Sequence, residues 1–112
     1  MIYYYSGCGN SRFVARSLAN ALNEELKFIP DLMDQGEKEF DCNGGLLGFV
    51  FPVYAWDAPS VVKKFVREST WKGKPDHVWF ACTCGDNIGL TDRQFSNLLA
   101  SCGLKLDACF TF

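Results

Sequence analysis

Near the amino terminus, Ser6, Gly7, Cys8, Gly9, Asn10 and Ser11 follow one another as an unbroken run of small or polar side chains. Such a stretch suits an anion. Glycine lets the backbone turn so that several N–H groups converge on one point. Serine and asparagine add side-chain donors at short range. If a helix opens here, its amino end contributes partial positive charge, and a phosphate is held without lysine or arginine. The pattern is neither G-x-G-x-x-G nor a Walker loop, which needs Gly-Lys-Ser/Thr. A polar turn with an ordinary helix cap explains the same composition, since glycine and serine abound in turns, and both readings stand at this point.

Cys8 and Arg12 suggest another chemistry for the same residues. A thiolate ringed by amides, with an arginine to clamp phosphate, is the apparatus of a cysteine phosphatase. The Cys-x-x-x-Arg spacing is shorter than the Cys-x5-Arg loop of low-molecular-weight phosphatases and too short to wrap a tetrahedral anion. That reading is disfavoured.

The elements that must position this stretch follow from periodicity. Residues 1–5 are a continuous β-prone run, the pattern of a strand covered on both faces. Residues 10–23 predict a helix with Val14, Leu18, Ala21 and Leu22 on its apolar side. A short strand over 26–29 is closed by Pro30, and 30–45 reads as irregular, polar and acidic, with room for a short helix within it. Residues 45–53 predict a central strand. Beyond the loop at 54–57, Asp57 is the expected N-cap, with Pro59 in the first helical turn. Val61, Val62, Phe65 and Val66 then repeat at helical spacing. Gly73-Lys74-Pro75 breaks the chain before a third central strand over 77–82. Thr91 and Gln94 make a capping-box pair. Phe95, Leu98, Leu99 and Cys102 form one helical stripe, and Gly103 with Leu104 suits a left-handed helix terminus. A last strand spans 106–112.

Strands that alternate with helices predict an α/β fold, a parallel sheet with right-handed crossovers. Its 112 residues make one domain, 1–112. The last apolar strand has no helix after it, whereas a doubly wound sheet covers both faces. The expectation is either a piece of a longer chain or a face covered by a partner, homo-oligomerisation through that uncovered face included.

A net charge of −2 argues against a nucleic-acid binder, which needs a basic surface. No apolar run approaches the ~20 residues of a membrane helix, and no charged segment precedes an apolar one as in a signal peptide. A cytoplasmic protein is expected. Cys8, Cys42, Cys82, Cys84, Cys102 and Cys109 include no C-x-x-C pair, and His77 is the single histidine. Reduced structural thiols are expected, with no metal site. Charge is uneven: residues 24–41 hold seven acids against two lysines, and residues 63–74 hold five basic residues against one acid. Solvated faces explain such runs; docking to a charged partner is the alternative.

Residues 6–11 resemble the flavodoxin phosphate loop, Ser/Thr-x-Thr-Gly-x-Ser/Thr. "FPVYAWDAPSVVKKFV" (51–66) resembles the family's loop after strand three, and "TCGDNIG" (83–89) its loop after strand four. More narrowly, the three together are similar to flavodoxin-like domains that open longer proteins carrying a ferredoxin-type 2×[4Fe–4S] domain. The resemblance spans nearly the whole chain. It implies a flavodoxin-like doubly wound five-stranded parallel sheet in the order 2-1-3-4-5. It also implies an FMN site at the carboxyl ends of the strands, as open α/β sheets generally bind ligands.

By that resemblance the FMN phosphate rests on Ser6, Gly7, Cys8, Gly9, Asn10 and Ser11. The flavin ring lies between Pro52, Tyr54, Ala55, Trp56 and Asp57 on one side and Thr83, Cys84, Gly85, Asp86 and Asn87 on the other. Tyr54 and Trp56 are the expected stacking rings, since flat aromatic faces suit a flat ring. Asp57 and Asp86 would place negative charge near it. The chain departs from the family in two places. Cys8 stands where threonine is usual, and a thiol donates more weakly than a hydroxyl. No glycine lies between 54 and 58, which hinders a peptide flip towards the reduced ring.

The implied function is electron transfer by FMN between redox partners, an iron–sulfur domain among them. No catalytic side chain is expected. A flavin-free interaction or scaffold module on the same fold is the rival. A phosphoryl-receiver domain would need an acidic pair after strand one, where Ser6 and Gly7 stand.

Overall fold

The structure, a computed structural model, describes residues 1–6, 9–53, 57–83 and 91–112. In chain order they form β1 (Ile2–Tyr4), α1 (Asn10–Leu22), β2 (Leu26–Phe28), α2 (Ile29–Asp34), β3 (Glu39–Asp41), β4 (Leu46–Pro52), α3 (Ser60–Glu68), β5 (Thr70–Lys72), β6 (His77–Thr83), α4 (Thr91–Ser101) and β7 (Ala108–Thr111). The main sheet runs β2-β1-β4-β6-β7, every pair parallel. Counting only its own strands, that is the expected order 2-1-3-4-5. A second, two-stranded parallel sheet joins β3 to β5. It was not anticipated, because each strand is three residues long and periodicity needs a longer window.

β4 and β6 are buried along almost their whole length, which is why both read as unbroken apolar runs. On one face, α2, α3 and α4 cover a core of Phe49, Phe51, Phe80 and Phe95. Phe51 stacks on Phe80 at 5.4 Å, and Phe95 meets Phe51 at 5.0 Å. The stripe of Phe95, Leu98, Leu99 and Cys102 faces this core as expected. Gly103 is left-handed at φ 82°, and Leu104 N–H reaches back to Leu99 O at 2.9 Å, ending α4 as the sequence predicted.

α1 covers the other face with two of the four predicted residues, Val14 and Leu18, and with smaller ones that were not predicted. Ser11, Ala15 and Ala19 are buried, Val14 and Leu18 flank them half-buried, and Ala21 and Leu22 are exposed. Small side chains let the helix sit close to Ile2, Tyr4 and Val50. A stripe chosen for hydrophobicity alone misses this, because contact depends on how closely the helix can approach. Trp79 fills the rest of that face by lying over Gly48, where a Cβ would fall inside its ring. Trp79 also meets Phe110 edge-on at 6.4 Å. Beyond it, Leu18, Leu22, Leu46, Phe110 and Phe112 border an apolar hollow of about 430 Å³.

Three local expectations are corrected. Ile29 belongs to α2, not to the second strand, and Pro30 stands in the first turn of that helix. The 30–45 stretch is therefore ordered in part, by α2 and by β3. The N-cap of α3 is Pro59, not Asp57: the Pro59 carbonyl accepts from Val62 N–H at 3.0 Å and Lys63 N–H at 3.1 Å. Proline suits that place because the residue before a helix needs no N–H bond of its own.

The acidic and basic runs meet each other. β3 lies along β5, and Glu39 pairs with Lys72 at 3.4 Å on the surface. Among the described residues no helix is long and apolar enough to cross a membrane.

Candidate functional site

β1, β4 and β6 end at the same edge of the sheet. Tyr4 is in register with Val50, Val50 with Ala81, and Pro52 with Thr83. From β1 the chain passes through α1 to β2 on one side; from β4 it passes through α3 towards β6 on the other. α1 and α3 lie on opposite faces. The crevice between β1 and β4 is thus the switch point at which open α/β sheets bind ligands.

At the described ends of the loop after β1, Ser6 Oγ accepts from Gly9 N–H at 2.9 Å. Gly9 is left-handed at φ 92°, and no described residue comes within 4 Å of where a Cβ would stand. It precedes α1, whose first turn begins at Asn10. The amides of that turn have no acceptor within the helix. Glycine serves twice here: it adopts the turn without strain, and it leaves the approach to those amides open.

Ser11 was expected to face the anion with its side chain. The structure places its hydroxyl inside, buried, 2.9 Å from the Thr83 hydroxyl. The pair joins the start of α1 to the end of β6, passing over β4. Two expected site residues are thus brought together, and Ser11 keeps its main-chain amide for the loop. Pro52 is buried at the end of β4, and Val53 N–H donates to Thr83 O at 3.0 Å. Asp57 accepts from Ala58 N–H at 2.8 Å and pairs with Lys63 at 2.5 Å. Lys63 offsets the negative charge that Asp57 was expected to bring to the site.

Gly7, Cys8, Tyr54, Ala55, Trp56, Cys84, Gly85, Asp86 and Asn87, all named from the sequence, lie outside the described residues. Among the described residues Cys42, Cys82, Cys102 and Cys109 form no disulfide. Among the described residues no group of three or more His, Cys, Asp or Glu side chains could hold a metal ion.

On the β2 side of the loop lies a groove of about 270 Å³, bordered by Tyr4, Ser6, Gly9, Arg12, Phe28 and Asp31. Sequence reasoning passed over most of these residues. Tyr4 and Phe28 read as strand core, and Asp31 as one acid in an acidic run. The signal that could have found them is position: each lies within a few residues of a strand's carboxyl end.

Away from this edge, Tyr3 packs against Phe40, Phe65 and Trp71 at ring distances of 5.4 to 5.6 Å. Burial first, and then the nearby Cys42, Glu37 and Glu25, push the Tyr3 phenol above its ordinary pKa. Burial and then Asp41 raise the Cys42 thiol.

No protein-family profile and no curated protein matches the sequence. In three dimensions the chain is similar to the solved structure described as that of the Trp repressor binding protein from Bacillus subtilis. The TM-score is 0.65 over 98% of this chain and 81% of that one, at 14% identity. At that identity the likeness concerns the fold. Together with the strand order, it makes this a flavodoxin-like fold.

Proposed function

We propose that the chain is an FMN-binding electron-transfer domain of the flavodoxin type. The observation that carries the reading is Gly9, left-handed at the amino end of α1 beside the switch point, with no described residue within 4 Å of where its Cβ would stand. The residues fit the phosphate of FMN. Gly9 clears the approach, the first-turn amides of Asn10, Ser11 and Arg12 supply donors, and the helix end supplies positive potential. Bound there, FMN would supply electron transfer. Pro52 and Thr83 stand at the ends of neighbouring strands beyond the loop, on the side where the ring would lie. The Ser11–Thr83 bond would hold the phosphate side and the ring side of the site in fixed relation. Redox partners, with an iron–sulfur domain among them, belong to the same proposal.

The test is a titration of the purified chain with FMN, followed by flavin fluorescence and thermal unfolding. Quenching with a rising melting temperature is the expected result, since a ligand of the native state must stabilise it. No change at tens of micromolar FMN would defeat the reading.

A second reading, a flavin-free interaction module, is favoured by one observation. Phe110 and Phe112 are 51% and 57% exposed beside the apolar hollow on the α1 face. Exposed apolar patches of this kind mark contact surfaces. A second copy of the chain is one proposed occupant, and sedimentation of the purified protein would reveal it.

A further inference from the structure

The main sheet has two edges, and they are finished differently. β2 is three residues long, carries the exposed Lys27 and runs straight into α2, with Pro30 in the first turn. A short strand, an edge lysine and a proline just past it are devices that stop one sheet from pairing with another. β7, at the opposite edge, lacks them. Ala108–Thr111 contains no charge and no proline, and among the described residues no strand pairs with its outer side. Main-chain donors and acceptors along that side are a template for a further strand.

The side chains of β7 sort the two faces of this edge. Phe110 and Phe112 are 51% and 57% exposed and border the apolar hollow on the α1 face, beside Trp79 and Leu22. Cys109, offset by one in the alternation, borders a polar groove of about 420 Å³ on the α4 face. Arg93 and Asp107 border the same groove, and both are exposed. Arg93 is in the first turn of α4, the helix that leaves the carboxyl end of β6, whereas Asp107 stands at the amino end of β7. Asp107 Oδ2 accepts from Val78 N–H at 2.8 Å, which fixes the carboxylate at that corner.

We infer that the chain forms a homodimer in which β7 pairs antiparallel with β7 of a second copy, joining two five-stranded sheets into one. The twofold axis is then perpendicular to the sheet, so the two α1 faces share one side and the two α4 faces the other. Phe110 and Phe112 lie beside the same rings of the partner, and the two hollows merge beneath them. Cross-strand aromatic pairs of this kind stabilise sheets. On the α4 side, the amino end of one β7 meets the carboxyl end of the other. Arg93 therefore faces the partner's Asp107, and symmetry makes this contact twice. A parallel pairing would turn one sheet over and set the phenylalanines of one copy beside the polar groove of the other. Pattern and charge thus select a second copy in the antiparallel sense. Each copy offers one such edge, and the guarded β2 edge stops growth at two. A strand of four residues and two rings fall short of the roughly 800 Å² per partner of a standard interface, so the dimer is weak and concentration-dependent. β6 separates β7 from the crevice between β1 and β4, so the inference stands apart from the flavin reading.

Sedimentation velocity of the purified chain from about 1 to 500 µM tests it, on the wild type, Phe110→Lys and Arg93→Glu. Cross-linking with a short bismaleimide, with Cys109→Ser as control, reports the edge. Both sedimentation variants change exposed side chains, and thermal unfolding checks that each folds. Phe112→Lys replaces a Phe110→Lys that does not. The expected result is a dimer that dissociates on dilution, about tenfold weaker or more in Phe110→Lys. Arg93→Glu should weaken it several-fold and remove its salt dependence. A cross-linked dimer should form and vanish with Cys109→Ser. A monomer at every concentration overturns the inference and leaves the flavin reading standing. A dimer that neither variant weakens also overturns it. A dimer weakened by Phe110→Lys but not by Arg93→Glu, with no link through Cys109, is two α1 faces stacked together, and the edge pairing falls. Saturating FMN should leave the association unchanged, and a failure to bind FMN has no bearing on it.

Discussion

The hydroxyls of Ser11 and Thr83, 72 residues apart in the chain, meet at 2.9 Å in the interior and tie the amino end of α1 to the carboxyl end of β6. Both are buried, and each satisfies the other. The bond spans the crevice in which the flavin is proposed to sit.

Because each hydroxyl depends on the other, removing one strands its partner. Ser11→Ala or Thr83→Val is expected to cost about 1–3 kcal/mol, the penalty of a buried group left unbonded. The double variant should cost less than the sum of the two. Urea denaturation of all four proteins measures the coupling, and strictly additive losses would show the pair to be energetically irrelevant.

Gly9→Ala separates backbone conformation from packing. Among the described residues nothing lies within 4 Å of the new methyl. The left-handed φ of 92° remains unfavourable for alanine, with an expected cost of about 1–2 kcal/mol in stability. In the proposed site a side chain at this position would crowd a phosphate held by the first-turn amides. FMN affinity should therefore fall by about tenfold or more, well beyond the effect on the melting temperature.

On the α1 face, Gly48→Ala meets the Trp79 ring, and the sheet and indole must part to admit it. Overpacking of this kind costs about 1–3 kcal/mol. The same substitution in a Trp79→Leu background should cost much less. Chemical denaturation gives the energies, and near-ultraviolet circular dichroism reports the indole's displacement.

The raised Tyr3 phenol predicts a pH dependence. Its folded pKa lies above the unfolded value near 10, so folding favours the protonated form. The stabilisation is complete below pH ~10 and is lost as the pH rises beyond it. Tyr3→Phe cannot ionise, so its unfolding free energy should fall less than that of the wild type between pH 9 and 11, the difference growing by about 1 kcal/mol per pH unit above 10. Parallel curves would overturn the burial argument. Cys42, raised in the same sense, adds to the alkaline loss in both proteins.

Much of this protein is legible from residue order alone. The alternation of strands and helices, the order of the main sheet, the helix ended by Gly103 and the polar loop at 6–11 are all encoded within a few residues of where they act. Backbone preference and apolar period work over that range. Other features needed the folded chain. β3 finds β5 across about thirty residues, each too short to announce itself. Burial of Ala15 and Ala19 rather than Ala21 and Leu22 depends on how near α1 can come to the sheet, which no window of one helix contains. Ser11 turns inward because Thr83 waits there, and Tyr4 borders a groove because Arg12 and Asp31 arrive from two different helices. Local sequence sets which elements form. Contacts between distant residues, satisfied only once the elements have packed, decide which side chains remain free to bind.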